Sequence, residues 1–473
     1  MDGWRTDQCA VGPQALTLTA PVLNNSGRGG APMAAAGSGF TLEADTDNGY
    51  DGTPLIDGSK LDPHAGAIAT GSLAGAFNAA SPLNGTAVGN AFTYSEVGNF
   101  RLLAEGLYDS SFTAVDQPAD CTNDFSNSVA AGKVGCKFGN TVPTGWVGRF
   151  IPADFLFTIT DHGALLDSCS GSGFSYAGTA IGYAAPQLPA ALITARNSDG
   201  ITTQNYTGAY NKLPLSGIDM PNITSDGTQL GADGVTRVGV NWSVGTPVLS
   251  DNGNGTLDFG LSGDTFTYGR TTNDRVAPFT TDLRLTVQGI TDDDAVSASG
   301  MPQDFNPAGV EVRYGRMAMQ NAQGSELLPL HVPLQAEYYA GSASGFVTNL
   351  ADACSQVVQI SLVDLDSSDG LKATTAADRN TAVYAPVAVA GGYAARDLSD
   401  AGLLFVQPPV GGAYNLNLQP PGQGNTGSTR VVVDVPAWLE YIWNGAAMSD
   451  PSAKASFGVF SRPGGLIYQR EAH

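Results

Sequence analysis

Positive charge is scarce in this sequence. Twenty-two Lys and Arg stand against 44 Asp and Glu over 473 residues, a formal net charge of −22. No basic stripe interrupts the acidic background, so the chain lacks the electrostatic footprint that neutralises phosphates, and nucleic acid is excluded as an expected partner. Long apolar runs are also missing. Without a stretch of about 18 apolar residues, nothing reads as a membrane-spanning helix. Met1 is followed by Asp2, Gly3, Trp4 and Arg5, with neither a basic segment nor an apolar stretch, so no secretory signal is legible.

Residues that carry chemistry are equally sparse. The four histidines, His64, His162, His331 and His473, stand far apart, and no C-x-x-C pair occurs, which removes the ligand spacing of a zinc site. The strand-to-helix G-x-S-x-G elbow is absent, and neither His162 nor His331 lies in a glycine-rich nucleophile or phosphate loop. No catalytic residue is therefore nominated, and the chain is read as a non-enzyme. His331 alternates with Leu330 and Val332 and reads as a structural histidine on a strand.

What the chain has in excess is Gly (60) and Pro (27), beside 42% hydrophobic residues. That apolar content forms cores, so the composition speaks for turn-rich β structure and against disorder. Apolar and polar residues alternate in GFTLEAD (Phe40, Leu42, Ala44), DFLFTIT (Phe155, Phe157, Ile159) and DLRLTVQ (Leu283, Leu285, Val287), each predicting a strand with one buried face. Asn48-Gly49, Asp199-Gly200 and Asn254-Gly255 supply hairpin turns. A weak repeat relates residues 40–53 to 191–209. The expected fold is all-β: tandem immunoglobulin-like β-sandwiches at 13–117 and 150–300, a cysteine-bearing connector at 118–149, and a further β-rich C-terminal domain at 301–473, with 1–12 a truncated N-terminal remnant.

The five cysteines favour an oxidising compartment. Cys121 and Cys136 bracket a polar segment with no core face, and a disulfide is expected to clasp it; Cys9, Cys169 and Cys354 have no assigned partners. Calcium is the one cofactor the residues suggest, since Asp-rich turns present hard oxygen ligands. The candidates are Asp45, Asp47 and Asp51, then Asp292, Asp293 and Asp294, then Asp364, Asp366 and Asp369. None fits an EF-hand loop, and Asp as a turn former explains all three. Trp146, Trp242, Trp438 and Trp443 could stack on glycans or fill sandwich cores. Six Asn-x-Ser/Thr sequons occur, at Asn24, Asn84, Asn205, Asn222, Asn241 and Asn254.

Several segments together resemble one bacterial family. They are YSEVGNFRLLAEGLY (94–108), DCTNDFSNSVAAGKVGCKFGN (120–140), GRFIPADFLFTIT (148–160), GFSYAGTAIGYA (173–184), TARNSDGITTQNYTGAYNKL (194–213), VRYGRMAMQNAQGSELLPLHVPLQAEYY (312–339), GFVTNLADAC (345–354) and WNGAAMSDPSAKASFGVFSRPGGLIYQRE (443–471). Their order is similar to that of the C-terminal region of the mannose-sensitive haemagglutinin (MSHA) pilus biogenesis protein Q family, the DUF6701 family. The resemblance implies an exported surface protein linked to a type IV pilus, a scaffold or adhesin-type component with pilus or cell-surface components as partners. Beside it stand two rival readings, a carbohydrate-binding module with glycans stacked on its tryptophans and, more remotely, a secreted hydrolase. The resemblance also implies an extracellular location, a front end missing from this sequence, and no catalytic residues to carry over.

Overall fold

The computed structural model describes residues 17–19, 30–46, 48–111, 121–126, 128, 130–133, 135–167, 171–220, 223–225, 230–231, 234–235, 237–270, 275–357, 359–364, 371, 403–443, 445 and 447–458. Among these the regular structure is strand, with only three-residue 3₁₀ turns beside it. All three alternating segments are strands. Gly39–Asp45 buries Phe40, Leu42 and Ala44, Asp154–Asp161 buries Phe155 and Phe157 while Ile159 is half-buried, and Leu283–Val287 buries its three apolar residues. Gly49, Gly200 and Gly255 have the positive φ that their turns demand.

Three hydrophobic cores organise the chain. In the first unit, Thr17–Thr19, Gly39–Asp45, Thr86–Tyr94 and Leu73–Ala74 form one four-stranded sheet, and Ala34–Ala35, Val147–Ile151, Gly98–Leu102 and Leu61–Pro63 form the other. Phe40, Phe92, Tyr94, Phe100 and Phe150 fill the space between. The core does not end at residue 117. Val147 and Phe150 belong to it because their strand lies between Ala34–Ala35, which it meets in parallel, and Gly98–Leu102.

The second unit carries a five-stranded sheet in the order Val248–Asp251, Thr256–Gly260, Ala190–Arg196, Asp154–Asp161, Ala298–Ser299. Shorter sheets oppose it, built on Thr265–Tyr268 and Leu283–Val287. The third unit pairs a six-stranded sheet around Leu334–Tyr339 and Ala413–Leu418 with a four-stranded one in the order Ala322–Gly324, Ser452–Phe457, Gly427–Asp434, Gln359–Asp364. Phe174–Tyr176 departs from chain order. It runs parallel to Glu311–Arg313, and its aromatic side chains enter the third core although the residues before and after it build the second.

Candidate functional site

The cysteine clasp is present: Cys121 is bonded to Cys136 with their Cα atoms 5.5 Å apart. Cys354 is also disulfide-bonded, to a partner outside the described residues. Cys9 and Cys169 lie outside them too.

The three aspartate groups are not brought into any metal-holding cluster among the described residues. Asp45 accepts a hydrogen bond from Thr86 Oγ1 at 2.8 Å on the strand it terminates. Asp51 lies beside a different pair, in which the Tyr50 hydroxyl donates to Asp109 at 2.6 Å. Asp47, Asp366 and Asp369 lie outside the described residues, as does the side chain of Asp364.

His331 is exposed on its strand, between buried Leu330 and Val332. His162 lines an open groove of about 550 Å³ with Thr158, Asp304 and Asn306. There its Nδ1 accepts the Asn306 backbone N–H at 3.1 Å, and Asp304 accepts from Thr286 Oγ1 at 2.7 Å. The Asp304 carboxylate is thus engaged on the sheet.

The described tryptophans are partly covered by the chain itself. The Arg101 guanidinium sits 4.7 Å from the Trp146 ring centre, and that of Arg316 lies 5.1 Å from Trp443. Trp242 packs on the second core and donates its Nε1–H to Asp264 at 2.8 Å, and Trp438 packs on the third. Among the sequons, Asn84, Asn241 and Asn254 are exposed, but Asn205 is 1% exposed with both amide atoms bonded.

Polar chemistry concentrates at the two joints between units, which composition and spacing did not single out. At the first joint, Arg149 from Val147–Ile151 reaches Asp294 of the second unit with two bonds, Nη1 to Oδ2 at 2.6 Å and Nη2 to Oδ1 at 2.7 Å. The side chains are 2% and 7% exposed, so the pair is desolvated. Lys212 adds an Nζ–Oδ1 approach of 3.6 Å, and these bonds, led by that of Arg149, hold the Asp294 carboxyl below its usual range. In the TDDDAV turn the carboxylates of Asp292 and Asp294 are both taken up by protein donors. Asp292 accepts the backbone N–H groups of Asp294 and Val296 and the Tyr206 hydroxyl, and burial pushes its pKa up.

Around this pair the units exchange backbone bonds. Glu96 of the first unit accepts the N–H groups of Gln204 and Asn205, both at 3.1 Å, and burial raises its pKa. In return, Asn205 Oδ1 accepts the N–H groups of Ile68 (2.7 Å) and Ala69 (3.0 Å), while its Nδ2 donates to Ala69 O. His64 packs against Tyr210 with ring centres 4.1 Å apart and the planes tilted by 51°, and Tyr210 donates to Asn99 Oδ1 at 3.2 Å.

The second joint is built on Tyr176. Its hydroxyl donates to Asp352 Oδ2 at 2.7 Å and accepts from Asn349 Nδ2 at 2.7 Å, and Arg313 Nη1 donates to Asn349 Oδ1. From the other side, Arg270 of the second unit gives hydrogen bonds to the carbonyls of Trp438, Gly315 and Glu440.

Fold and joints together define a chain of β-sandwich units connected through buried polar contacts. Family-level sequence comparison matches the third domain of DUF6701 to residues 138–312 and the fourth domain to residues 313–472, without a gap. The chain belongs to the DUF6701 family. No curated protein matches it. No helix among the described residues is long and apolar enough to cross a membrane.

Proposed function

We propose that the chain is a non-enzymatic scaffold of an exported bacterial surface protein, holding a binding part at a fixed distance and orientation in a system of the MSHA type IV pilus kind. The observation that carries this reading is the bonding between units. Interfaces between domains of one chain usually permit relative motion, being polar and modest in size. Here a desolvated Arg149–Asp294 pair and a set of reciprocal backbone bonds cross the first joint, while an aromatic strand of one unit enters the core of the next. Such bonding suits a part that transmits position or force. Two disulfide-bonded sites support placement in an oxidising compartment outside the cytoplasm. The pilus connection rests on the resemblance of the segments quoted above. Arginines over Trp146 and Trp443 favour scaffold over glycan-stacking surface, because they cover aromatic faces.

In a bacterium that makes the protein carrying this chain, protease added to intact cells should cleave it, and deleting its gene should reduce surface pili or adhesion. Replacing His162 or His331 by Ala should leave adhesion unchanged. A cytoplasmic location, or loss of activity on one such change in a folded protein, would overturn the reading.

A further inference from the structure

Cys354 is disulfide-bonded, and the sequence leaves two candidates for its partner. Of the five cysteines, Cys121 and Cys136 are bonded to each other, so Cys354 is joined to Cys9 or to Cys169. The chain on either side of each candidate separates them. The described residue nearest to Cys9 is Thr17, eight positions along, and its strand Thr17–Thr19 pairs with Gly39–Asp45 in the first unit. Cys169 stands between Asp167 and Gly171, two positions from each, which keeps its Cα within about 7 Å of theirs. Asp167 Oδ2 accepts the Gly173 N–H at 2.8 Å, so this short loop closes at the foot of Phe174–Tyr176.

That strand is held by the turn that carries Cys354. One carboxylate, that of Asp352, binds both: Oδ2 accepts the Tyr176 hydroxyl at 2.7 Å, and Oδ1 accepts the backbone N–H groups of Cys354 at 3.1 Å and Ser355 at 2.9 Å. The Arg313 guanidinium lies 4.5 Å from the Phe174 ring centre and bonds Asn349, which in turn donates to the Tyr176 hydroxyl at 2.7 Å. Phe174 and Tyr176 share the third core with Val357, and Ala351 packs against that core. A disulfide needs Cα atoms about 4.4–6.8 Å apart. These contacts bring the strand that follows Cys169 to the residues on both sides of Cys354, whereas the chain that follows Cys9 is tied to the first unit.

We propose that Cys169 and Cys354 form a disulfide that staples the aromatic strand Phe174–Tyr176 to the turn at 349–355, a covalent tie across the junction of the second and third units. Its formation takes two electrons and two protons from the thiols by exchange with the disulfide of an extracytoplasmic thiol oxidase, which is reduced to two thiols in return. The tie encloses the 184 residues between the two cysteines, most of the second core among them. Tension along the chain crosses from Cys169 to Cys354 through the sulfur atoms, and the enclosed residues are withheld from stretching. Cys9 is then the one cysteine left over. The pairing is independent of the scaffold reading, and its use under load rests on that reading.

Trypsin separates the three cysteines, since cleavage after Arg5 and Arg28, Arg149 and Arg196, and Arg316 and Lys372 gives peptides 6–28, 150–196 and 317–372 with one cysteine each. The whole chain, exported to an oxidising compartment, labelled with N-ethylmaleimide in denaturant and digested without reductant, should give 150–196 linked to 317–372. A link between 6–28 and 317–372, or a labelled Cys354, would overturn the proposal. Cys9→Ser should leave the expected link in place, and its loss in that variant would overturn the proposal too. Pulled from its two ends, the Cys169→Ser/Cys354→Ser chain should extend roughly 600 Å further than the unaltered one, the contour of the enclosed residues, whether or not the variant folds. Equal extension would refute the pairing. Map and extension read the bond alone, whereas the scaffold reading falls on location and adhesion.

Discussion

Among the described residues Arg149 is the largest fully buried side chain, and it comes from a strand, VGRFI, whose other residues are apolar or glycine. A buried guanidinium is stable only with its partner, so Arg149→Ala, which strands Asp294, should lose about 3–5 kcal/mol in urea unfolding. Replacing both partners by apolar residues of similar volume should recover most of that loss. The pH dependence has opposing parts. Asp294 is depressed, so its contribution is complete above the ordinary carboxylate value and fades as pH falls through its folded value; Glu96 and Asp292 are raised, so theirs is present in acid and fades as pH rises through their folded values. Asp294→Asn should therefore flatten the acid side of the stability profile, and Glu96→Gln the side above it. A second test lies at Gly98, where φ is +102° and an added Cβ would stand 2.3 Å from the His64 ring. Gly98→Ala should cost about 2 kcal/mol or more, and His64→Ala in the same chain should return the steric share, visible as coupling in a double-mutant cycle.

Strands with one buried face were legible because alternation reports burial directly. Gly39–Asp45 and Leu283–Val287 follow it residue by residue. Phe174–Tyr176 was not legible, because all three residues are buried and such a segment carries no period. Val147–Ile151 was hidden for the same reason, which is why the connector expected at 118–149 runs into the first core. Near the C-terminus VVVDVP (431–436), KASFGVF (454–460) and LIYQRE (466–471) also read as strands; the first two overlap Gly427–Asp434 and Ser452–Phe457, while the third lies outside the described residues. Ser452–Phe457 lies inside its sheet, antiparallel to Gly427–Asp434 on one side and parallel to Ala322–Gly324 on the other. Deleting residues from 452 onward should expose both neighbours and give aggregation or rapid proteolysis; a truncated protein that remains monomeric with an unchanged melting temperature would refute this.

At the scale of the molecule, many of the residues that build the joints lie in the segments that carry the family resemblance. Glu96 and Asn99 lie in 94–108, Arg149 in 148–160, Tyr176 in 173–184, Asn205 and Lys212 in 194–213, and Asn349 and Asp352 in 345–354. The joints were thus in view as recognisable sequence, yet unreadable as contacts, because no spacing rule relates Glu96 to Asn205 or Arg149 to Asp294 across more than a hundred residues. Coupling through the joint predicts that a fragment spanning residues 30–312 melts as one calorimetric transition. Glu96→Ala combined with Arg149→Ala should split it into two, whereas two transitions in the unaltered fragment would show that the joint couples nothing.

The place of Val147–Ile151 bears on how such a chain can be made. The family's third-domain match begins at residue 138, so this strand is counted with the second unit while it completes the sheet of the first. A polypeptide emerging from its N-terminal end, whether from a ribosome or through a secretion pore, cannot close the first sandwich until residue 151 has come out. Phe174–Tyr176 must wait longer still, since the sheet strands of the core that receives it extend to Phe457. The first unit is thus left open, and the aromatic strand Phe174–Tyr176 uncovered, until later residues arrive, which would keep the growing chain dependent on holding factors and make maturation a sequence of interlocking closures instead of three independent ones.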